Sequence, residues 1–321
     1  MATTFSNVET SRRTPGSVTE QPSTGVVPGP EVSAPPSDPT TLRNLYAAML
    51  RCRMVDERTG QLAQAHTLKL APKLRWGQEA AEIGSLIELR AGDAISSELS
   101  FAARMFSGQP LRLYFAEIYG SRSEYVAFAP EAGNGAIHLL PPAQTIAAQL
   151  NVAAGFALAV KKAQRRNVVV ILLPDGANAL GYWHEAATLA AAERLAMVFV
   201  VISAPANANN FGEGDCRQRA ASYGIPGITV DGGDVVAMWR VAQESIYRAR
   251  SGAGPTLIDS QLAVTPLNSQ PHAGSDPLAR MQHYLEKRKL WKQSWKDDLA
   301  RKVAAEVDEA QSSSSRAKET Q

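Results

Sequence analysis

The side chains able to do chemistry in this sequence are few and widely spaced. Its cysteines, Cys52 and Cys216, and its histidines, His66, His138, His184, His272 and His283, show no ligand-like spacing. A structural zinc site or a disulfide framework needs closer, repeated spacings, so neither is expected, and unpaired thiols suit a reducing compartment. His66 and His283 have no partner visible along the chain, and His272 reads as a surface histidine. Asp175, followed by Gly176, closes the apolar run that ends at Leu173. A carboxylate at that point caps the helix that follows. Asn207, Asn209 and Asn210 read as a polar loop, and Arg104 as a surface cation.

The elements that position these residues follow from periodicity. Asp38-Pro39-Thr40-Thr41 starts a helix, with a capping hydroxyl ahead of Leu42, Leu45, Tyr46, Met49 and Leu50 at helical spacing. A second helix begins near Gly77-Gln78-Glu79-Ala80 and ends at Arg90-Ala91-Gly92-Asp93. Ala153 to Lys162 and the Ala-rich Trp183 to Arg194 read as helices. Asn167 to Leu173, Met197 to Ser203, Ile228 to Val230 and Pro255 to Asp259 read as strands, the first two buried on both faces. Asp234 caps a further helix that Gly252 and Gly254 end, and helix resumes after Asp276-Pro277. Trp291, Trp295, Leu299, Val303 and Val307 form a stripe that packs on the domain or on a partner. Four strands separated by helices make an α/β, mostly parallel, doubly wound sheet.

Composition bounds the rest. Thirty-three basic against 31 acidic residues leave a net charge of +2, which gives no basis for a nucleic-acid or anionic-membrane surface. No apolar run reaches the roughly 18 residues that span a bilayer, so the expectation is a cytoplasmic protein. Residues 1–40, crowded with Pro, Ser and Thr, and residues 311–321 read as disordered tails around a single domain at 41–310.

Five segments in order resemble the alpha subunit of the thiamine-diphosphate-dependent component of pyruvate and branched-chain 2-oxoacid dehydrogenases. They are Gly77-Gln78-Glu79-Ala80 with Leu89 to Asp93, Asp175-Gly176-Ala177 with Gly181 to Ala186, Tyr223 to Gly232, Gly254 to Ile258, and Asp276 to Arg280. The resemblance implies the thiamine-diphosphate-binding fold and an alpha/beta heteromer with the cofactor between subunits. The alpha side would hold the diphosphate and Mg²⁺, and a beta subunit would activate the pyrimidine ring.

At the positions where that family does chemistry, this sequence departs from it. The family's Gly-Asp-Gly is Pro174-Asp175-Gly176, which keeps the ligand Asp175 but loses a backbone donor. The family's Asn pair falls on Ser203 and Ala204, unless a short insertion brings Asn209 and Asn210 there. A Tyr or His, an Arg and a His fall on Leu99, Ser100 and Ala102, and Ser cannot replace an Arg fork on a phosphate. A further His falls on Asn268, in a shortened loop. The glycine-rich cradle of the cofactor ring falls on Thr145 to Gln149, where Ala148 and Gln149 match. His138 matches a largely structural histidine, and His184-Glu185 resembles a packing pair.

These positions leave Asp175, Gly176 and Gln149 as candidate contacts for thiamine diphosphate, Asp175 and Asn210 as candidate Mg²⁺ ligands, and no catalytic residue. The expected role is a catalytically impaired alpha-subunit homologue, a structural or regulatory partner of a beta-like subunit or a homo-oligomer. Two other readings stay open: an active subunit for oxidative decarboxylation of a 2-oxoacid, and a small-ligand module without thiamine chemistry.

Overall fold

Two runs of branched apolar residues, around Val170 and Val200, have no polar alternation, so each must be covered on both faces. The computed structural model describes residues 38–69, 75–97, 100–120, 136–141, 145–174, 176–177, 181–203, 216–263 and 274–319, with side chains as far as Ser314. These residues belong to one compact unit. Within it the two runs are β3 (Val169–Pro174) and β4 (Met197–Ser203), paired in parallel with Val170 opposite Val198. The sheet adds β1 (Ala94–Ser96), β2 (His138–Leu139), β5 (Gly227–Asp231) and β6 (Thr256–Gln261). All pairings are parallel, in the order β2-β1-β3-β4-β6-β5.

The sheet is therefore the expected doubly wound one, with two strands beyond the four read from the sequence. The missed strands, β1 and β2, have three and two residues, too few for a periodic signal. Side-chain alternation splits each long strand between two cores. Val170, Leu172, Val198, Val200 and Ile258 face the larger one, and Val169, Ile171, Phe199, Val201 and Leu257 the smaller.

The larger core is closed by α1 (Pro39–Gln64), α2 (Glu79–Leu86), α3 (Phe101–Phe106), α4 (Leu111–Ile118), α8 (Val235–Arg250), α9 (Pro277–Lys287) and α10 (Gln293–Glu319). The smaller is closed by α5 (Ile146–Lys162), α6 (Gly181–Ala192) and α7 (Cys216–Ala221). In α2 and α8 the backbones approach so closely that a Cβ on Gly84 would lie 2.5 Å from that of Met238.

Local chemistry differs from the sequence reading in three places. The cap of α1 is not a Thr hydroxyl: the Asp38 carboxylate accepts from the amides of Thr40 and Thr41, with Pro39 in the first helical turn. Helix α5 starts at Ile146, capped by the Thr145 hydroxyl, rather than near Ala153. Helix α10 runs through Gln311, where the tail was placed. Ser314 is buried there, and its hydroxyl donates to the Arg112 carbonyl (2.7 Å) and the Ala310 carbonyl (2.8 Å). Serine tolerates a helix when its hydroxyl back-bonds in this way. The tryptophan stripe packs on the domain itself: Trp291 and Trp295 meet the Tyr46 ring at 5.0 and 5.6 Å, and Val303 and Val307 are buried. Among the described residues no helix is long and apolar enough to cross a membrane. The N-terminal segment, up to residue 37, lies outside the described residues.

Candidate functional site

In an open parallel sheet the ligand crevice lies beyond the carboxyl ends of the strands where the winding reverses. Here that point falls between β1, whose neighbour β2 lies to one side, and β3, which leads to β4 on the other. Strand β3 reaches this edge at Pro174, and Gly176 beyond it takes φ +75°, a conformation that favours glycine. Asp175, between them, is outside the described residues, as are Leu99, Ala204, Asn207, Asn209, Asn210, Asn268 and His272. Among the described residues no group of three or more His, Cys, Asp or Glu could hold a metal ion.

Gln149, in the first turn of α5, is buried, and its Nε2 donates to the Leu172 carbonyl at 3.0 Å. That bond fastens α5 to β3 beside the crevice. His138 begins β2 with its amide on the Asp93 carbonyl, and its ring lies 6.0 Å from that of Phe156. His184 and Glu185 are both exposed rather than a packing pair, and His184 Nδ1 lies 3.1 Å from the Tyr223 hydroxyl. His66 is exposed at φ 53°, and His283 lies 3.9 Å from Glu286.

The Ser100 position is wholly inside the protein. Its hydroxyl caps α3 by accepting from the Ala103 amide (3.3 Å) and donates to Glu82 Oε2 (2.9 Å). Ala102, two residues on, is buried and apolar. Arg104 is not the surface cation read from the sequence, being only 2% exposed. It donates to Gln109 Oε1 (2.8 Å), lies 2.6 Å from Glu117 Oε2, and stacks over Tyr114. Helices α3 and α4 fold back on each other, so its guanidinium is used within that hairpin.

Behind Ser100 lies an ionic network that sequence spacing did not reveal. Glu82 also pairs with Arg75 (3.0 Å), and the Arg75 amide donates to Asp56 (3.2 Å). Glu79 pairs with Arg53, which reaches Asp276, the cap of α9, at 2.8 Å. Burial, with Glu82 and Glu79 beside it, pushes the Asp56 carboxyl up to about 8. Burial also holds Glu79 above the ordinary carboxylate range despite its bond to Arg53. The one signal in the sequence was Glu79 and Glu82 three apart on a helix, with buried alanines around them.

At the edge of the neighbouring strands, Ser203 Oγ donates to Asp259 Oδ1 (2.7 Å), and Gln261 Nε2 donates to Asp259 Oδ2 (3.1 Å). Ser203 and Asp259 are both buried. The Ser203 hydroxyl is thus committed to a carboxylate of the neighbouring strand. Sequence reasoning passed over Asp259, which lies within an otherwise apolar strand.

Comparison with known proteins agrees with this architecture. The family described as "Dehydrogenase E1 component" matches residues 46–262. The alpha subunit of acetoin:2,6-dichlorophenolindophenol oxidoreductase of Bacillus subtilis is 32% identical over 233 residues, 67% of this chain and 67% of that protein. The pyruvate dehydrogenase E1 component alpha subunit of Acholeplasma laidlawii is 30% identical over 294 residues, 84% and 82%. The 3-methyl-2-oxobutanoate dehydrogenase alpha subunit of Mycobacterium tuberculosis is 30% identical over 294 residues, 84% and 78%. A sheet wound in this order, matched over most of its length to such subunits, assigns the chain to the dehydrogenase E1 component family, on its alpha-subunit side.

Proposed function

We propose that this chain is a catalytically impaired alpha-subunit homologue that serves as a structural or regulatory partner of a beta-like subunit. The family depends on thiamine diphosphate, so the test is whether the residues present fit that group. The carrying observation is Ser100. Where the resemblance expects an arginine fork for a phosphate, a fully buried hydroxyl caps α3 and bonds Glu82. The substitutions around it work the same way. Ala102 has no proton to give, Arg104 is held by Gln109 and Glu117, and Ser203 is held by Asp259. The polar groups described at these positions point into the scaffold, and a carboxylate such as Glu82 behind Ser100 opposes a diphosphate. These residues do not fit the cofactor. Of the residues that the resemblance would set against the cofactor, Gln149 is bonded to the Leu172 carbonyl and Gly176 forms a turn at φ +75°. Asn210, six residues beyond the matching position, does not supply the fixed octahedral ligand that Mg²⁺ demands.

Calorimetry with thiamine diphosphate and Mg²⁺, on this chain alone and co-expressed with a beta-like subunit, tests the proposal. The expected result is a stable heteromer with no heat of cofactor binding. Micromolar binding by the heteromer would favour an active oxidoreductase subunit instead.

A further inference from the structure

All strands run parallel, so the turns that lead into them share the sheet's amino edge, opposite the crevice. Basic residues gather there. Exposed Arg90 precedes β1, and exposed Lys161, Lys162, Arg165 and Arg166 lead from α5 into β3. Exposed Arg194 leads from α6 into β4, and Arg248 and Arg250 end α8 ahead of β6. Local contacts tie these turns into one surface. Asn167 Nδ2 donates to the Ala91 carbonyl (3.3 Å), and Arg250 to the Arg166 carbonyl (3.1 Å). Gly254 packs on Arg194, where an added Cβ would lie 3.6 Å from the arginine Cα.

Charge on this surface is not balanced. Its carboxylates, Glu88, Asp93 and Glu193, are each engaged: Glu88 with the Trp239 indole, Asp93 with Arg250, and Glu193 with Lys161. Among the described residues no ion pair holds Arg90, Lys162, Arg165, Arg166, Arg194 or Arg248. Helix C-termini meet at this edge, and their carbonyl dipoles account for the cations in the last turns of α5 and α8. Arg165, Arg166 and Arg194 stand beyond those turns. Arg194 also takes φ 46°, a conformation better suited to glycine or asparagine. In a chain of net charge +2, so dense a group of cations is a local feature.

We infer that this edge is a docking surface for an acidic, extended segment of a partner protein. Arginine dominates it, and an arginine fork takes a carboxylate through two parallel bonds. Tyr247, 57% exposed in the last turn of α8, adds a ring at the same edge. Tyrosine and arginine are the residue types that protein contacts favour. Nucleic acid fits less well, because single strands are held on successive rings and Tyr247 is the one exposed ring among the described residues. The turns ahead of β1, β3, β4 and β6 lie on neighbouring strands about 4.8 Å apart, so they span about 15 Å. An extended segment of about five residues covers that length, with alternate side chains facing the edge. A partner held here leaves the crevice free for a beta-like subunit, and the inference stands whether or not the cofactor binds.

Fluorescence anisotropy on the full chain tests it. The probe is a labelled peptide of about twelve residues in which glutamate alternates with serine, at about 150 mM salt. The expected Kd is roughly 10–100 µM, weakened at least about tenfold by Arg165→Glu combined with Arg166→Glu. Lys292→Glu combined with Lys302→Glu, the same charge change at exposed positions beside and on α10, should leave binding unchanged. Far-UV circular dichroism should match the parent for both pairs, and Arg248→Glu replaces the first pair if that one unfolds. Absence of binding overturns the inference, as does an equal loss in both pairs. Tighter binding of a thymidine oligonucleotide of the same length, or of phosphatidylserine vesicles, overturns it too. No cofactor or beta-like subunit is present in this experiment, so its failure is separate from failure of the proposed function.

Discussion

A carboxylate or hydroxyl means different things according to what surrounds it, and Asp56, Glu82 and Ser100 show this. Asp56 is buried beside Glu79 and Glu82, and its pKa in the folded chain, about 8, is far above the roughly 3.9 of an unfolded aspartate. Between those values the folded chain holds a proton that the unfolded chain has released. Stability should therefore fall as pH rises from about 4 to about 8 and level off above. Asp56→Asn should be more stable than the parent at pH 8, with the difference closing toward pH 4. Urea titrations across that range measure it, and identical slopes for the two proteins would disprove the account. Ser100 carries the second prediction. Ser100→Arg, which restores the residue type expected at a phosphate site, should not restore binding. It removes an α3 cap and forces a long cation into a fully buried position, costing about 3 kcal/mol or more. A variant as stable as the parent that binds thiamine diphosphate would show that the site is recoverable. The sequence revealed that Ser100 is not an arginine, but not that Glu82 lies behind it. Arg104 was misread for the same reason: its partners Gln109 and Glu117 reach it only after α3 and α4 fold together.

Elements were legible where a run was long enough to have a period. Strands β3 and β4 announced themselves because parallel strands covered on both sides lose alternation, and β4 spans the same residues as the reading of it. The cap at Asp234 was legible because a short side chain bonding the next amides is a local event. Strand β1 was not, since three residues acquire strand geometry only from pairing with Val169, Val170 and Ile171. The carboxylate that fixes its start, Asp93, accepts from the Arg90 and Val168 amides and pairs with Arg250 at 2.7 Å. The Gly92-Asp93 turn, one of the segments that carried the resemblance, is thus retained for folding. The candidate site was half legible for a related reason. A departure from the family's residue type is visible in sequence, whereas the internal bond that engages the residue present joins positions far apart in the chain, as Ser203 and Asp259 are.

On the scale of the whole molecule the two sides of the sheet differ. One side is covered by α1, α2, α3, α4, α8, α9 and α10, with the last helix laid on the first. Tyr46 meets Trp291 and Trp295, Arg43 donates to the Leu290 carbonyl (3.0 Å), Arg51 pairs with Glu306, and Arg58 with Asp308 at 2.6 Å. The surface ion pairs contribute little individually, so the seam depends on the apolar stripe. Burying Val303, Val307 and the parts of Trp291, Trp295 and Leu299 that face the core is worth on the order of 5–10 kcal/mol, close to the whole stability of a typical domain. A chain ending at Lys292 should therefore lose cooperative unfolding, and Val307→Asp alone should cost about 3 kcal/mol or more. A chain lacking residues 1–37 should melt as the full one does, because a sequence so crowded with Pro, Ser and Thr offers few apolar side chains to bury. Differential scanning calorimetry of the three variants separates the cases: an unchanged melt after removal of α10 would mean that the stripe is not what closes the larger core. The other side has only α5, α6 and α7 over it, and its apolar exposure survives because nothing within the described chain is laid across it. The stability of the fold is therefore concentrated on the side that the C-terminal helix stitches to the first.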